Sequence, residues 1–241
     1  MPNIELKGQA IAYKVRASKR AKRISIRYSL QQGLEVVYPP GAQQPTPETL
    51  LLERSDWILS AYNKFKVARA NLPRREYRAG EVFLFRGASY KLLLEQSTTA
   101  SKISVRLTED CLVVSSPDPP PGTAAGSIRS AIEGFYRRKA QGYIPKRVRE
   151  LADEHSFDYA HVRIKNQKTR WGSCSAKRNI NLNLRLMMAP DPAIDYVIIH
   201  ELCHLREMNH TRAYWSLVES HCPDYRHWKD WFRQHGPSLM L

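Results

Sequence analysis

The sequence predicts an α+β protein, with a β-rich N-terminal region over about residues 1–120 and a mixed α/β domain over about 121–241. Three observations predict it. Apolar and polar residues alternate through short runs as far as Ser116, the period of a half-buried strand. The stretch Pro117-Asp118-Pro119-Pro120-Pro121-Gly122 then interrupts the pattern as a boundary. Beyond it helical spacing dominates, around one further group of strands.

In order, Ile4-Glu5-Leu6, Ile11–Val15 and Ile24–Tyr28 read as strands; Gln31-Gln32-Gly33 reads as a turn before the strand Leu34–Tyr38. The basic run Arg16–Arg23 between them is a solvated loop or a phosphate contact. Pro45-Thr46-Pro47-Glu48 opens a helix of about two dozen residues that fades near Asn71-Leu72-Pro73. A weak repeat follows. Lys102-Ile103-Ser104-Val105-Arg106 resembles Arg23-Ile24-Ser25-Ile26-Arg27, and Cys111–Pro117 resembles Leu34–Pro39 in pattern. The second copy is preceded by the strands Val82–Phe85 and Tyr90–Leu94.

A helix beginning near Thr123 carries the apolar stripe Ile128, Ala131, Ile132, Phe135 and Tyr136. It either ends near Pro145 or continues past it to His155. Tyr159–Lys165 alternates, and Asn179–Leu184 is a period-two strand with an asparagine face and an apolar face. Arg170-Trp171-Gly172-Ser173 is either an edge strand or a structural turn. Asp191 as cap and Pro192 at the first helical position open the next helix, whose apolar face is Ile194, Val197, Ile198, Leu202 and Leu205. Thr211 and Asp224 can cap two last helices rich in aromatic residues.

The helix opened by Asp191 and Pro192 contains His200-Glu201-Leu202-Cys203-His204, with His210 six residues further on. Positions i and i+4 share a helix face, so His200 and His204 can aim two imidazoles at one metal ion. Glu201, at the rim of that face, is placed as general base. A straight helix carries His210 too far away, so the chain must turn before it, and Asn209 tolerates the left-handed geometry of such a turn. Three protein ligands with one open position is the pattern of a catalytic zinc site. Glu219 is the alternative third ligand.

The formal net charge is +15, which favours acidic or phosphate-rich partners. The four cysteines include no Cys-x-x-Cys pair, so a zinc ribbon and a redox dithiol are excluded, and their low number fits a reducing compartment. With a polar start and no apolar stretch long enough for a membrane span, the expected location is the cytoplasm.

Trp171-Gly172-Ser173-Cys174, the asparagine-rich strand, Asp195-Tyr196-Val197, the His200 motif, Asn209-His210-Thr211, Tyr214-Trp215 and Pro223-Asp224-Tyr225 together resemble the YgjP-like metallopeptidases, relatives of the SprT and WLM zincins. The resemblance implies a minimal zincin-like fold, zinc on His200, His204 and His210, and Glu201 as general base. Arg170, Trp171, Ser173, Asn183 and Tyr225, in or beside those motifs, are the candidate substrate contacts. Arg170, Tyr196 and Tyr225 are candidate oxyanion donors. The spacing of the three histidines also equals that of the metzincins, which carry glycine where this chain has Glu207, so the route to His210 differs.

The expected function is therefore zinc-dependent hydrolysis of a peptide or protein. A nucleotide phosphoanhydride is the alternative substrate, because an activated water can also attack phosphorus and the chain is rich in lysine and arginine. A nucleic-acid contact is a further expectation, since SprT-like relatives act on proteins at DNA.

Overall fold

The computed structural model describes residues 1–19, 21–29, 33–42, 45–70, 75–98, 101–117, 125–167 and 169–241. The Gln31-Gln32 turn, the end of the first helical segment at Asn71–Pro73, and Asp118–Thr123 of the expected boundary lie outside the described residues. Helices and three small mixed sheets make it an α+β chain, as the patterning predicts. Two compact units form, Met1–Leu72 and Pro73–Leu241.

In the first unit, β1 (Asn3–Leu6), β2 (Gln9–Ala17), β3 (Ser25–Ser29) and β4 (Gly33–Tyr38) form a sheet in the order β1-β2-β4-β3. The expected long helix is two: α1 (Pro47–Glu53), capped by Thr46, and α2 (Ser55–Ala70), with Arg54 between them out of helical geometry. Alternate residues Ile4, Leu6, Ile11, Tyr13, Leu34 and Val36 meet Leu51 and Ile58 in a core of their own.

The second unit opens with β5 (Val82–Phe85), β6 (Ala88–Gln96), β7 (Ser104–Leu107) and β8 (Cys111–Ser116), ordered β5-β6-β8-β7. The short sequence repeat marks a structural one. Ile4 pairs with Ile11, Tyr13 with Leu34 and Ile26 with Val36; at the matching positions Phe83 pairs with Tyr90, Leu92 with Leu112 and Val105 with Val114. Both copies share one topology and one register.

The second copy does not stand apart from the C-terminal half. Phe83, Leu92, Leu112 and Val114 share one core with Ile132, Phe135 and Tyr136 of α3 (Ala125–Glu154). The compact units therefore divide near residue 72, whereas the sequence suggests about 120. Helix α3 runs unbroken through Pro145, so the continuation read as an option is the one adopted. Its inward face, from Ile128 to Ala152, stays apolar on both sides of the proline, and that packing outweighs the local cost.

Next come β9 (His161–Lys165), β10 (Gly172–Cys174) and β11 (Asn179–Asn183), in the order β10-β11-β9. A 3-10 turn, Leu184–Met188, leads to α4 (Asp191–Cys203), followed by α5 (Arg212–His221) and α6 (Tyr225–His235). Asp191 is not the cap of α4. Pro190 holds that position, Asp191 is the first helical residue, and its carboxylate accepts from Arg86 Nε at 2.7 Å. The β5–β6 hairpin tip thus anchors the helix start. The Arg86 and Gly87 amides donate to the Met187 and Met188 carbonyls at 2.7 and 3.3 Å.

At Gly87 φ is +82°, and a Cβ there would lie 3.2 Å from Pro190 Cα. Gly87→Ala is expected to cost the left-handed penalty of about 1–2 kcal/mol plus the contact with Pro190. Gly8→Ala, at the matching tip with φ +79° and open space around it, is expected to cost the conformational part alone. Urea unfolding of both variants checks this; equal losses would show that the Gly87 tip does not bear on Pro190.

Candidate metal centre and cleft

Helix α4 is buried almost all round, as its apolar sequence requires: Ala193, Ile194, Val197, Ile198, Ile199, Leu202 and Cys203 are all in the core. Its last turn carries His200 and Glu201, and His204 is its C-cap. The helix ends at Cys203, earlier than expected, in a tight turn where the Leu205 amide donates to Leu202 O (2.9 Å) and the Glu207 amide to Cys203 O (3.0 Å). Asn209 is not in the left-handed conformation. The turn is made directly after the motif, and the following residues return His210 toward the helix.

The three imidazoles converge. One ligand nitrogen from each of His200, His204 and His210 lies within 4.8 Å of the others. His200 Nε2 and His210 Nε2 are 3.2 Å apart. Two nitrogens on one tetrahedral ion, each about 2.0–2.1 Å from it, sit about 3.3 Å apart, so these residues fit a metal. His204 Nδ1 lies 3.0 Å from the Glu207 carbonyl, which takes its proton and leaves Nε2 as the ligand atom. Burial, then the neighbouring His204, His210 and Lys229, pushes His200 down to about 3, so its ring is neutral and ready to ligate at neutral pH. Glu219 stands outside the cluster, exposed and paired with Arg226 Nη2 at 3.3 Å.

Helix α5 backs the cluster. Thr211 caps it by accepting from the Tyr214 amide. Tyr214, fully buried, donates its hydroxyl to the His200 carbonyl at 2.9 Å and stacks on His204 at 4.5 Å. Trp215 stacks on His210 at 5.5 Å, and Lys229 Nζ lies 4.0 Å from the Trp215 ring centre. Sequence reading treats these aromatics as general packing. Their spacing is that of core residues, and no local signal separates a core tyrosine from one seated on a ligand.

Glu201 is 4% exposed and lies across the open edge of β10. Its Oε1 would be 2.5 Å from a Cβ at position 172, so only glycine leaves it room. The Cys174 backbone N–H donates to its carboxylate. Burial pushes the Glu201 carboxyl up to about 8, against the opposing pull of Arg170 and that N–H. A divalent cation on the adjacent histidines favours the carboxylate form. Glu201 Oε2 is buried without a partner, as is His200 Nδ1.

A cleft of about 300 Å³ opens beside these groups. It is lined by Thr169, Arg170, Trp171 and Gly172 on one side, by Tyr196, Val197, His200 and Glu201 of α4, and by Lys229 and Phe232 of α6. Arg170 and Trp171 are thus at the cleft. Ser173, Asn183 and Tyr225 do not line it. Ser173 Oγ accepts from Asn181 Nδ2. Asn183, fully buried, donates to the Gln167 and Arg170 carbonyls at 2.6 and 2.8 Å and so pins the segment that carries Arg170. Tyr225 is buried with its ring stacked on Trp215. Lys229 and Phe232 are cleft residues that the sequence reading does not single out.

The geometry predicts that His210→Ala lowers divalent-metal affinity by orders of magnitude while Glu219→Gln leaves it unchanged. Competition titration against a chromogenic chelator checks this, and the reverse order of effects would return Glu219 to the ligand set.

A family model described as the YgjP-like metallopeptidase domain matches residues 22–235. Curated proteins include no match. Two solved structures are similar over part of the chain. The metallopeptidase zymogen abylysin of Pyrococcus abyssi is 22% identical, covering 41% of this chain and 99% of its own, with a TM-score of 0.37. The metallopeptidase zymogen jannalysin of Methanocaldococcus jannaschii is 21% identical, covering 35% and 90%, with a TM-score of 0.30. On the family match, which spans most of its length, the chain belongs to the YgjP-like metallopeptidases.

Proposed function

We propose that the protein is a zinc-dependent peptidase in which His200, His204 and His210 hold the ion and Glu201 moves the proton. One observation carries this reading: three imidazole nitrogens converge beside a buried carboxylate that borders an open cleft. Three nitrogen donors with an open side suit catalytic zinc. Zinc bound there supplies Lewis acidity toward water and toward the scissile carbonyl.

The chain's own residues supply the rest. Glu201 Oε2, the oxygen without a partner, accepts the proton of the attacking water and delivers it to the leaving amine. The Cys174 amide and Gly172 hold the carboxylate at that angle. Of the candidate oxyanion donors, Tyr225 is turned onto Trp215, whereas Tyr196 lines the cleft, and burial keeps its phenol protonated and able to donate. The edge strand supports strand addition by a peptide. Trp171 and Ser175 bond to β11, so by alternation the amide and carbonyl of Gly172 point from the open edge.

A second reading, hydrolysis of a nucleotide phosphoanhydride, is favoured by Arg170 and Lys229, which bring two cations to the cleft. Separately, the charge of +15 supports contact with DNA or another polyanion, and such binding should weaken steeply between low and moderate salt. No helix among the described residues is long and apolar enough to cross a membrane.

Glu201→Gln is expected to retain zinc and lower turnover by about 10² to 10⁴. Gly172→Ala is expected to retain zinc as well, with turnover down by about 10² or more, because its Cβ displaces the carboxylate. Mass spectrometry of a pool of peptides, unfolded proteins and nucleoside triphosphates is the readout. Peptide cleavage by wild type alone supports the main reading. Loss of triphosphate with peptides intact transfers the function to the second, and full activity of Glu201→Gln removes Glu201 from the mechanism.

A further inference from the structure

The cleft carries a charge imbalance that peptide hydrolysis by itself does not need. Arg170 enters it from the segment before β10 and Lys229 from α6. Neither has an ion-pair partner among the described residues. Other arginines of α6 are neutralised: Arg226 pairs with Glu219 at 3.3 Å and Arg233 with Asp230 at 3.2 Å. Among the described residues the one carboxylate lining the cleft is Glu201, already committed to the Cys174 amide and, on the proposed mechanism, to the reacting atoms. A cation on the three histidines makes the imbalance larger.

The two side chains are also held ready. Lys229 rests with Nζ 4.0 Å from the Trp215 ring centre, a contact that uses its charge and leaves its N–H donors available. The main chain of Arg170 is fixed where its carbonyl accepts from Asn183 Nδ2 at 2.8 Å, and its guanidinium is free to present a planar fork to a carboxylate. The walls also include the apolar Trp171 and Phe232, whose ring centroids are 5.0 Å apart. A group with a short alkyl stem and an anionic end suits such a mixed surface. The volume of about 300 Å³ is at the low end for ligand sites, which points to recognition of one or two residues.

We infer that Arg170 and Lys229 select peptides that carry a carboxylate beside the scissile bond, either an acidic side chain or the free C-terminal carboxylate. This rests on the peptidase reading for the position of the bond, and the two can be tested apart.

The experiment measures binding. Zinc-loaded Glu201→Gln protein is titrated with otherwise identical short peptides bearing Glu, Gln or Lys at one position, each as C-terminal acid and as amide, and followed by calorimetry. The expected result is about 10-fold to 100-fold tighter binding of the carboxylate-bearing peptide than of its neutral counterpart. Persistence of the preference in the amides assigns the carboxylate to a side chain, and its loss assigns it to the terminus. Adding Arg170→Gln with Lys229→Met should abolish the preference, and Arg170→Lys should restore part of it. Equal affinity for Glu and Gln peptides, together with equal affinity for the C-terminal acids and amides, overturns the inference without need of any second variant. So does a preference that survives removal of both cations. If wild type cleaves peptides with preference for neither an acidic side chain nor a free C-terminal carboxylate, the inference fails and the peptidase reading stands. If carboxylate-selective binding is found but wild type cleaves no peptide of the set, the peptidase reading fails and the selectivity stands.

Discussion

The contact between Glu201 and the open edge of β10 is the constraint on which the rest of the catalytic unit depends. A carboxylate buried to 4% exposure needs compensation, and the Cys174 amide supplies one hydrogen bond. The approach is so close that position 172 has no room for any side chain. Helix α4 therefore crosses next to β10, which is an edge strand of its sheet. Asn183 and Arg185 extend the same requirement inward. Asn183 fixes the carbonyls of Gln167 and Arg170, and the Arg185 guanidinium, 8% exposed, donates to the Asn183 side chain and the Gln167 carbonyl. A buried cation satisfied by carbonyls holds a loop in place without competing for the acid at the site.

The two β copies show how one local pattern is put to two uses. Both hairpins end in a basic residue and a glycine at positive φ, Lys7-Gly8 and Arg86-Gly87. In the first unit Lys7 reaches Asp56 of α2 at 2.6 Å, an exposed pair of small energetic weight. In the second, the Arg86 guanidinium lies over Tyr143 of α3 and bonds to Asp191 at the start of α4. An acid in the first turn also suits the helix dipole, so the tip orients the helix that bears the histidines. The same strand register thus yields a self-contained sheet in one unit and a brace for the catalytic helix in the other.

What could be read from the sequence follows from how local each determinant is. His200, Glu201 and His204 are legible because one helix face sets their relation. The strand Asn179–Asn183 is legible because its period is two and its apolar residues Ile180 and Leu182 are fully buried. Pro145 is ambiguous locally, and only the packing of Ile144 and Val148 decides that the helix continues. Asp191 reads as a cap because its partner, Arg86, is 105 residues away in sequence. Asn209 reads as the turn because its conformational tolerance is a residue property, whereas the actual turn is set by where Tyr214 and Trp215 receive His204 and His210. The cleft walls are least legible. Arg170, Lys229 and Phe232 come from separate elements, and no spacing along the chain announces that they meet.

Electrostatics explains what is gained by bringing these histidines close together beside the core. Burial first, and then the like charge of neighbouring imidazoles, opposes protonation, so His200 and His204 are both held below the ordinary histidine range. Neutral rings are what a metal requires, so the arrangement that destabilises protonation prepares ligation. Glu201 feels the opposite bias. Burial alone would keep it protonated, and in the proposed mechanism a cation held by the neutral histidines would restore its charge. On the proposed mechanism, metal ligation and proton acceptance would be coupled through one desolvated environment, and removing the ion would silence the base as well as the Lewis acid. Arg170 adds a smaller pull in the same direction from the cleft wall, which places any anion bound there where it competes with Glu201 for the same positive charge.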